Sequence, residues 1–266
     1  MLELYQFEFS QFSEKVRLIL DYKGLEYKKV EVTPGIGQLE VFKISGQRQV
    51  PVLKDGDTVV ADSTEIALYL ERQYPENPII PSDPVAKGQC LLIEEWADES
   101  IGLKGRKVFL SALNHYQNFR TSLLPKDTPD IVKNLVNAFP SNLFDVLGTG
   151  VGLGTDTFKA AEKGLKQDLE ALSLILQHKP YLVSDKPTLA DLTVAALTTI
   201  IKFPDDNYFD VPIDLKGKGI PGLADNTTYE PFFTWRDRLY AQYRQPIDKS
   251  NDDPGTDSEP TSIEIE

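Results

Sequence analysis

Four prolines within eleven residues, YPENPIIPSDP at 74–84, divide this chain more sharply than any other feature of it. Each proline lacks a backbone N–H and holds φ near −65°, so the stretch can continue neither a helix nor an interior strand. The residue patterns on its two sides differ completely. Ahead of it, LELYQF (2–7) reads as a short strand, and Val16, Ile19 and Leu20 fall at the i, i+3, i+4 spacing of one buried helical face over about 11–22, closed by Gly24. YKKVEV (27–32) is a second strand, LEVFKI a weak helical stretch after the loop TPGIGQ, and VPVLKDGDTVVAD two strands around Asp55-Gly56, a dipeptide suited to a tight hairpin turn. A helix over about 63–73 offers Ile66, Leu68, Tyr69 and Leu70 to its buried side. The order is βα, βα, ββα.

Beyond the prolines the pattern is helical. The stretch 85–119 reads as one long helix with a kink near Gly102 or Gly105, and a second helix is expected over about 130–137. FKAAEKGLKQDLEALSLIL carries Leu165, Leu169, Leu172 and Leu176 at spacings of 4, 3 and 4, and PTLADLTVAALTTII (187–201) is apolar enough to be the central helix of this half. A Pro/Gly-rich polar excursion (203–228) precedes a last helix in PFFTWRDRLYAQY. GTGVGLGTD (148–156) does not meet the phosphate-loop pattern: its glycines alternate, no Lys-Ser/Thr follows and no strand precedes it. The divisions expected are 1–78, a linker 79–85, a helical unit 86–245, and a solvated tail 246–266 in which seven acids face only Lys249.

Charge and composition exclude several functions. A net charge of −13 opposes binding to a phosphate backbone, and no apolar run approaches the length of a membrane span, so neither nucleic acid nor membrane is an expected partner. One cysteine, Cys90, permits no internal disulfide, and His115 and His178 are too isolated to suggest a metal site. The N-terminus lacks signal-peptide order, and a cytoplasmic location is expected.

Three short segments of the first half should converge if it folds as one sheet. Ser10 lies where the first strand meets the first helix, Val50-Pro51 opens the third strand, and Asp62-Ser63 stands where the fourth strand enters the last helix. Both helix starts offer unpaired N–H groups and a positive dipole end, so an anionic ligand could span them. Singly, each segment has a structural reading. Ser10 in S-x-x-S is an N-cap, Asp62-x-x-Glu65 and Thr188-x-x-Asp191 are capping boxes, and a Val-Pro at a strand start needs no ligand.

Together they resemble the cytosolic glutathione transferases, in particular the serine-type, zeta- or tau-like classes or a bacterial or plant-type relative. S-x-x-S-x-K-V-R-L, R-Q-V-P-V-L and A-D-S-T-E-I-A-L-Y-L-E carry the resemblance in residues 1–85. P-T-L-A-D-L-T-V-A-A-L and F-T-W-R-D-R-L carry it in the second half. It implies an α/β N-terminal thioredoxin-like domain with a mixed βαβαββα sheet, followed by an all-α C-terminal domain. It implies glutathione as cosubstrate, no metal, and a homodimer. Ser10 would stabilise the glutathione thiolate for conjugation to small hydrophobic electrophiles in detoxification. Val50, ahead of a cis Pro51, would pair its main chain with the cysteinyl unit. Asp62 and Ser63 would hold the γ-glutamyl end, with Gln49 and Arg48 near the peptide backbone and carboxylate. Thr188 and Asp191 are structural caps. Asp62 departs from the usual Glu or Gln by one methylene. A cysteine at position 10 would favour thiol–disulfide exchange, and its replacement by serine argues against that. Tyr5 is the rival hydroxyl but reads as a packed strand residue, and Ser13 as a helix-surface residue. Trp96, Phe109, Tyr116 and the 203–228 segment are candidate linings of the electrophile pocket. The alternatives are a non-catalytic binding or scaffold protein of the same fold, and a glutathione-dependent isomerase or dehalogenase.

Overall fold

The computed structural model describes residues 1–33, 37–123, 155–205, 207–212 and 215–247. The glycine-rich stretch up to residue 154, the helix expected near 130–137 and the acidic tail from residue 248 lie outside them. The first half is a four-stranded sheet of β1 (Leu2–Gln6), β2 (Tyr27–Glu31), β3 (Val52–Asp55) and β4 (Thr58–Ala61), in the order β2-β1-β3-β4. β1 runs parallel to β2 and antiparallel to β3, and β3 and β4 form the hairpin turned at Gly56, whose φ is +58°. Its helices are α1 (Gln11–Lys23), α2 (Gly37–Ser45) and α3 (Ser63–Gln73). The mixed βαβαββα sheet followed by helices matches the architecture expected from the sequence.

The helical half holds α4 (Pro84–Trp96), α5 (Leu103–His115), α6 (Gln117–Ser122), α7 (Thr155–Leu176), α8 (Leu189–Leu197) and α9 (Glu230–Tyr243). The single helix expected over 85–119 is interrupted twice. A π-helical segment, Ala97–Gly102, widens it where the kink was expected, and a second break falls at Tyr116, whose extended backbone separates α5 from α6. The apolar run at 187–201 is helical only to Leu197, after which turns carry it into the 203–228 excursion.

One apolar core joins the two halves. All nine residues of α8 are buried, and α8 packs on α1, α4 and the π segment. The α1 face of Val16, Leu18, Ile19 and Leu20 meets it, while Leu4 and Leu53 bury the near side of the sheet. At about 1.5–3 kcal/mol per buried Leu or Ile side chain, this shared layer holds α1, and hence its N-terminus, in a fixed place. The excursion, polar in composition, nevertheless packs inward through Phe203, Phe209, Leu215, Ile220 and Leu223.

Candidate active site

Register across the sheet brings the three sequence segments together. Tyr5 pairs with Val52 and Val52 with Ala61, so these three residues form one row at one end of the sheet. The chain leaves that row as the 7–10 turn after β1, as Val50-Pro51 before β3, and as Asp62-Ser63 after β4. The Val50–Pro51 peptide is cis. Among the described residues the main-chain N–H and C=O of Val50 have no hydrogen-bond partner, which leaves both available to an extended peptide.

Ser10 is the N-cap of α1. Its N–H closes the turn on the Phe7 carbonyl at 2.9 Å, and its Oγ accepts the Ser13 N–H at 3.2 Å. A hydroxyl that accepts in this way keeps its own O–H free to donate, and among the described residues it has no acceptor. The neighbouring Gln11 and Phe12 N–H groups, at the positive end of α1, are likewise uncommitted. The three groups make an anion-stabilising corner with one mobile proton.

Ser13 is not a helix-surface residue. It is fully buried, with no partner for its Oγ among the described residues, because α1 is enclosed on all sides by the sheet and the helical half. Gln11 beside it donates to the Gly102 carbonyl at 2.5 Å, and a Cβ on Gly102 would stand 2.9 Å from the Phe12 ring. The π segment thus packs hard against the start of α1, and any larger residue at 102 would have to displace the tip of the Phe12 ring.

At the second helix start, Asp62 has φ +79° and ψ 133°, a strained combination for a residue with a side chain, costing about 1–3 kcal/mol. Its Oδ1 accepts the Thr64 and Glu65 N–H groups at 2.9 and 3.2 Å, so this carboxylate caps α3, and it is solvent-exposed. Ser63 is buried beside it. Gln49 and Arg48 are exposed at the same end of the molecule, the Arg48 guanidinium lying over the Phe42 ring at 5.7 Å. Tyr5 packs on Val32, Val41 and Val52 rather than at the Ser10 corner.

Sequence reasoning missed the ionic cluster beneath this site. Lys15, fully buried on α1, donates to Glu94 at 2.5 Å, Asp98 at 2.8 Å and the Thr64 hydroxyl at 3.0 Å. It ties α1, the start of α3 and the π segment into one unit. Burial raises the Asp98 carboxyl above its ordinary range, with Lys15 opposing. The sequence signal was available: Lys15 and Arg17 flank Val16 within a stretch otherwise patterned for burial.

The aromatic surroundings of Ser10 come from both halves. Phe7 and Phe9 lie 6.0 Å apart, and Phe9 meets Phe203 edge-on at 6.4 Å, so the excursion walls the 7–10 turn. Trp96 is half-buried, Phe109 packs edge-on against Phe119 at 5.9 Å, and Tyr116 is exposed. A groove of about 380 Å³ between the end of α7 and α9, lined by Leu176, Pro231, Trp235 and Arg238, touches none of the residues at the Ser10 end of the sheet. Among the described residues no group of three or more His, Cys, Asp or Glu is placed to hold a metal ion, and no helix is long and apolar enough to cross a membrane.

Thr188 and Asp191 lie at the start of α8. Asp191 Oδ1 accepts the Leu182 N–H at 2.8 Å, and Oδ2 accepts the Thr188 N–H and hydroxyl at 2.9 and 2.8 Å. Burial nevertheless pushes the Asp191 carboxyl up to about 6.

Residues 4–78 match the family model for the glutathione S-transferase N-terminal domain. Over 85 residues the chain is 44% identical to glutathione S-transferase 1 of Dianthus caryophyllus and to a zeta-class glutathione S-transferase of Euphorbia esula. In each case the match covers 31% of this chain and 38% of the relative, so it spans about two fifths of those proteins' length. Protein LigF of Sphingobium sp. is 25% identical over 246 residues, covering 86% of this chain and 90% of its own. The crystal structure of the beta-etherase LigF from Sphingobium sp. strain SYK-6 superposes with a TM-score of 0.66 at 22% identity, over 90% of this chain and 95% of that one. That superposition shows the shared fold.

Proposed function

We propose that this chain is a member of the glutathione S-transferase superfamily and a transferase that joins the glutathione thiolate to small hydrophobic electrophiles. The observation that carries this reading is the single row from which the Ser10 turn, Val50-Pro51 and Asp62-Ser63 depart, with uncommitted donors, among the described residues, at the first two. A thiol of ordinary pKa near 8.5 is only a few per cent thiolate at pH 7. A Ser10 O–H donated to the sulfur, beside the N-terminus of α1, favours the charged form. The Val50 main chain pairs with the cysteinyl unit, Asp62, Ser63 and the start of α3 hold the γ-glutamyl end, and Gln49 and Arg48 approach the backbone and glycyl carboxylate. Asp62 reaches this end by a strained backbone rather than by the longer side chain of the usual Glu or Gln. The thiolate attacks an electrophilic carbon, the C–S bond forms, and the leaving group departs with its electron pair. Turnover of an aryl chloride with glutathione, sharply reduced on removal of the Ser10 hydroxyl, tests this directly. A cytoplasmic location fits such chemistry.

A second reading concerns the electrophile. The zeta-class match covers 31% of the chain, whereas the match to LigF covers 86% of it. An ether carbon is open to the same thiolate attack, the C–O bond breaking so that an aryloxide leaves with the pair and takes a proton from water. On a panel containing an aryl chloride, an alkyl halide and a β-aryl ether, this reading expects the ether to have the highest kcat/KM. Turnover of the halides alone would reject it.

Two-fold association is part of the proposal. Val85 and Leu92 stand seven residues apart on one face of α4, 69% and 72% exposed, so a single partner surface can cover both. We assign this face to a homodimer in which the first domain of one subunit meets the helices of the other. Leu92→Asp should then convert the protein from a dimer to a species near the 29.8 kDa of one chain in light scattering. A wild-type protein already at that mass contradicts the assignment.

A further inference from the structure

The Ser10 hydroxyl is placed only as well as the turn that carries it, and that turn is fastened through Glu8. The Glu8 N–H donates to Glu31 Oε1 at 2.9 Å, and its carbonyl accepts Arg17 Nη2 at 2.9 Å. Its carboxylate accepts Arg17 Nη1 at 3.2 Å, Gln6 Nε2 at 3.3 Å and the Asp210 N–H at 3.4 Å. Two residues on, Ser10 closes its turn on Phe7. Arg17 is therefore the group that grips the turn by both main chain and side chain.

Arg17 is itself held from behind. It is fully buried, donates Nε to Glu14 Oε2 at 2.5 Å and Nη1 to Gln6 Oε1. Glu14, also fully buried, accepts the Tyr240 hydroxyl and Arg244 Nε, both at 2.9 Å, and Arg244 Nη2 at 3.3 Å. Arg244 Nη1 reaches Asp21 at 2.6 Å. Tyr240 and Arg244 lie at and just beyond the end of α9, more than two hundred residues from Glu14 along the chain.

We propose that the buried relay from Arg244 through Glu14 and Arg17 to Glu8 sets the position of the Ser10 hydroxyl, which makes Arg17 and Arg244 positioning residues for the thiolate chemistry. The proposal rests on the glutathione reading above. Each guanidinium uses its planar fork to serve two acceptors at once: Arg17 spans Glu14 and Glu8, and Arg244 spans Glu14 and Asp21. A lysine has three donors, but all issue from one nitrogen, which cannot stand at both prongs of the fork and so cannot span acceptors set as far apart as these. With Lys at 244, Glu14 keeps its burial but loses donors, and Arg17 turns toward it at the expense of the Glu8 carbonyl. With Lys at 17, the Glu8 carbonyl is released outright. Either way the turn loosens while the ligand-holding segments at Val50 and Asp62 are untouched.

The test compares full-length wild type, Arg17→Lys, Arg244→Lys and Ser10→Ala, each first shown to be folded by circular dichroism. The amides of residues 7–10 should exchange with deuterium at least about tenfold faster in both lysine variants. With glutathione and chlorodinitrobenzene, kcat should fall about tenfold while KM for glutathione moves less than about threefold, since a displaced donor costs the transition state more than the ground state. The thiol of bound glutathione should titrate higher than in wild type, as it does in Ser10→Ala. Unchanged exchange at 7–10 in a folded variant overturns the proposal, whether or not glutathione binds. Faster exchange with unaltered kcat and thiol titration overturns it too. Failure of wild type to bind glutathione removes the transferase reading instead, and the exchange rates still decide whether the relay holds the turn.

Discussion

Ser10→Ala should lower kcat/KM for glutathione with an aryl chloride by about 10²–10³-fold, the usual cost of deleting one hydrogen-bond donor aimed at developing or resident negative charge. Among the described residues the Ser10 Oγ is tied only by the Ser13 N–H, which leaves its proton to serve the sulfur. Without it, the helix terminus and the uncommitted Gln11 and Phe12 N–H groups remain, so residual activity above the uncatalysed rate is expected. The loss should fall mainly in kcat, because the proposed hold on the peptide ligand comes from Val50, Asp62 and Ser63. Ser10→Thr should recover part of the rate, as it restores a hydroxyl in the same cap. Ser10→Cys should change the chemistry: a thiol at a helix N-terminus ionises readily and would form a mixed disulfide with glutathione, giving disulfide exchange in place of conjugation. A Ser10→Ala enzyme with undiminished kcat across several electrophiles would remove Ser10 from the mechanism.

Asp191→Ala should cost about 3–5 kcal/mol at pH 7, read from chemical denaturation. The carboxylate satisfies the buried Leu182 and Thr188 N–H groups and the Thr188 hydroxyl together, and each orphaned donor costs about 1–3 kcal/mol. The capping of α8 is lost as well, and α8 is the helix on which α1 rests. Asp191→Asn should rescue little, since its amide NH₂ would face the Thr188 N–H. The pH dependence has a definite sign. Burial lifts the folded-state pKa to about 6, above the ordinary value of 3.8. Between these values the folded protein binds a proton that the unfolded chain does not, so this group's contribution to stability rises as pH falls from 7 toward 4. The gap between wild type and Asp191→Ala should therefore widen by about 2–3 kcal/mol over that interval. A gap that narrows on acidification would show that Asp191 is held as a carboxylate by its donors more strongly than it is penalised by burial.

The first domain was readable because its signals are local. A serine before a helical face, Gly24 after it, and Asp55-Gly56 between two alternating runs each fix a piece of backbone with little help from the rest of the chain. The features that escaped the sequence depend on distant partners. Ser13 looked solvated because Glu14, Lys15 and Arg17 surround it, yet those charges are buried and satisfied by Glu94 and Arg244, 79 and 230 residues away. The positive φ of Asp62 left no mark, since nothing in an Asp-Ser sequence announces a strained backbone that the surrounding fold imposes. The break at Tyr116 carries neither glycine nor proline. The excursion after 203 has the composition of a loop, and its buried Phe203, Phe209 and Ile220 are too irregularly spaced to announce a core.

The most direct measurement is a titration of glutathione into the wild-type protein by calorimetry, with thiolate absorbance followed across pH in parallel. A thiolate site at Ser10 predicts binding, and a bound thiol that ionises about two units below 8.5, which corresponds to about 2.7 kcal/mol of preferential stabilisation of the thiolate. Glutathione that does not bind, or that binds and still ionises near 8.5, would contradict such a site and leave the fold as a scaffold for another purpose.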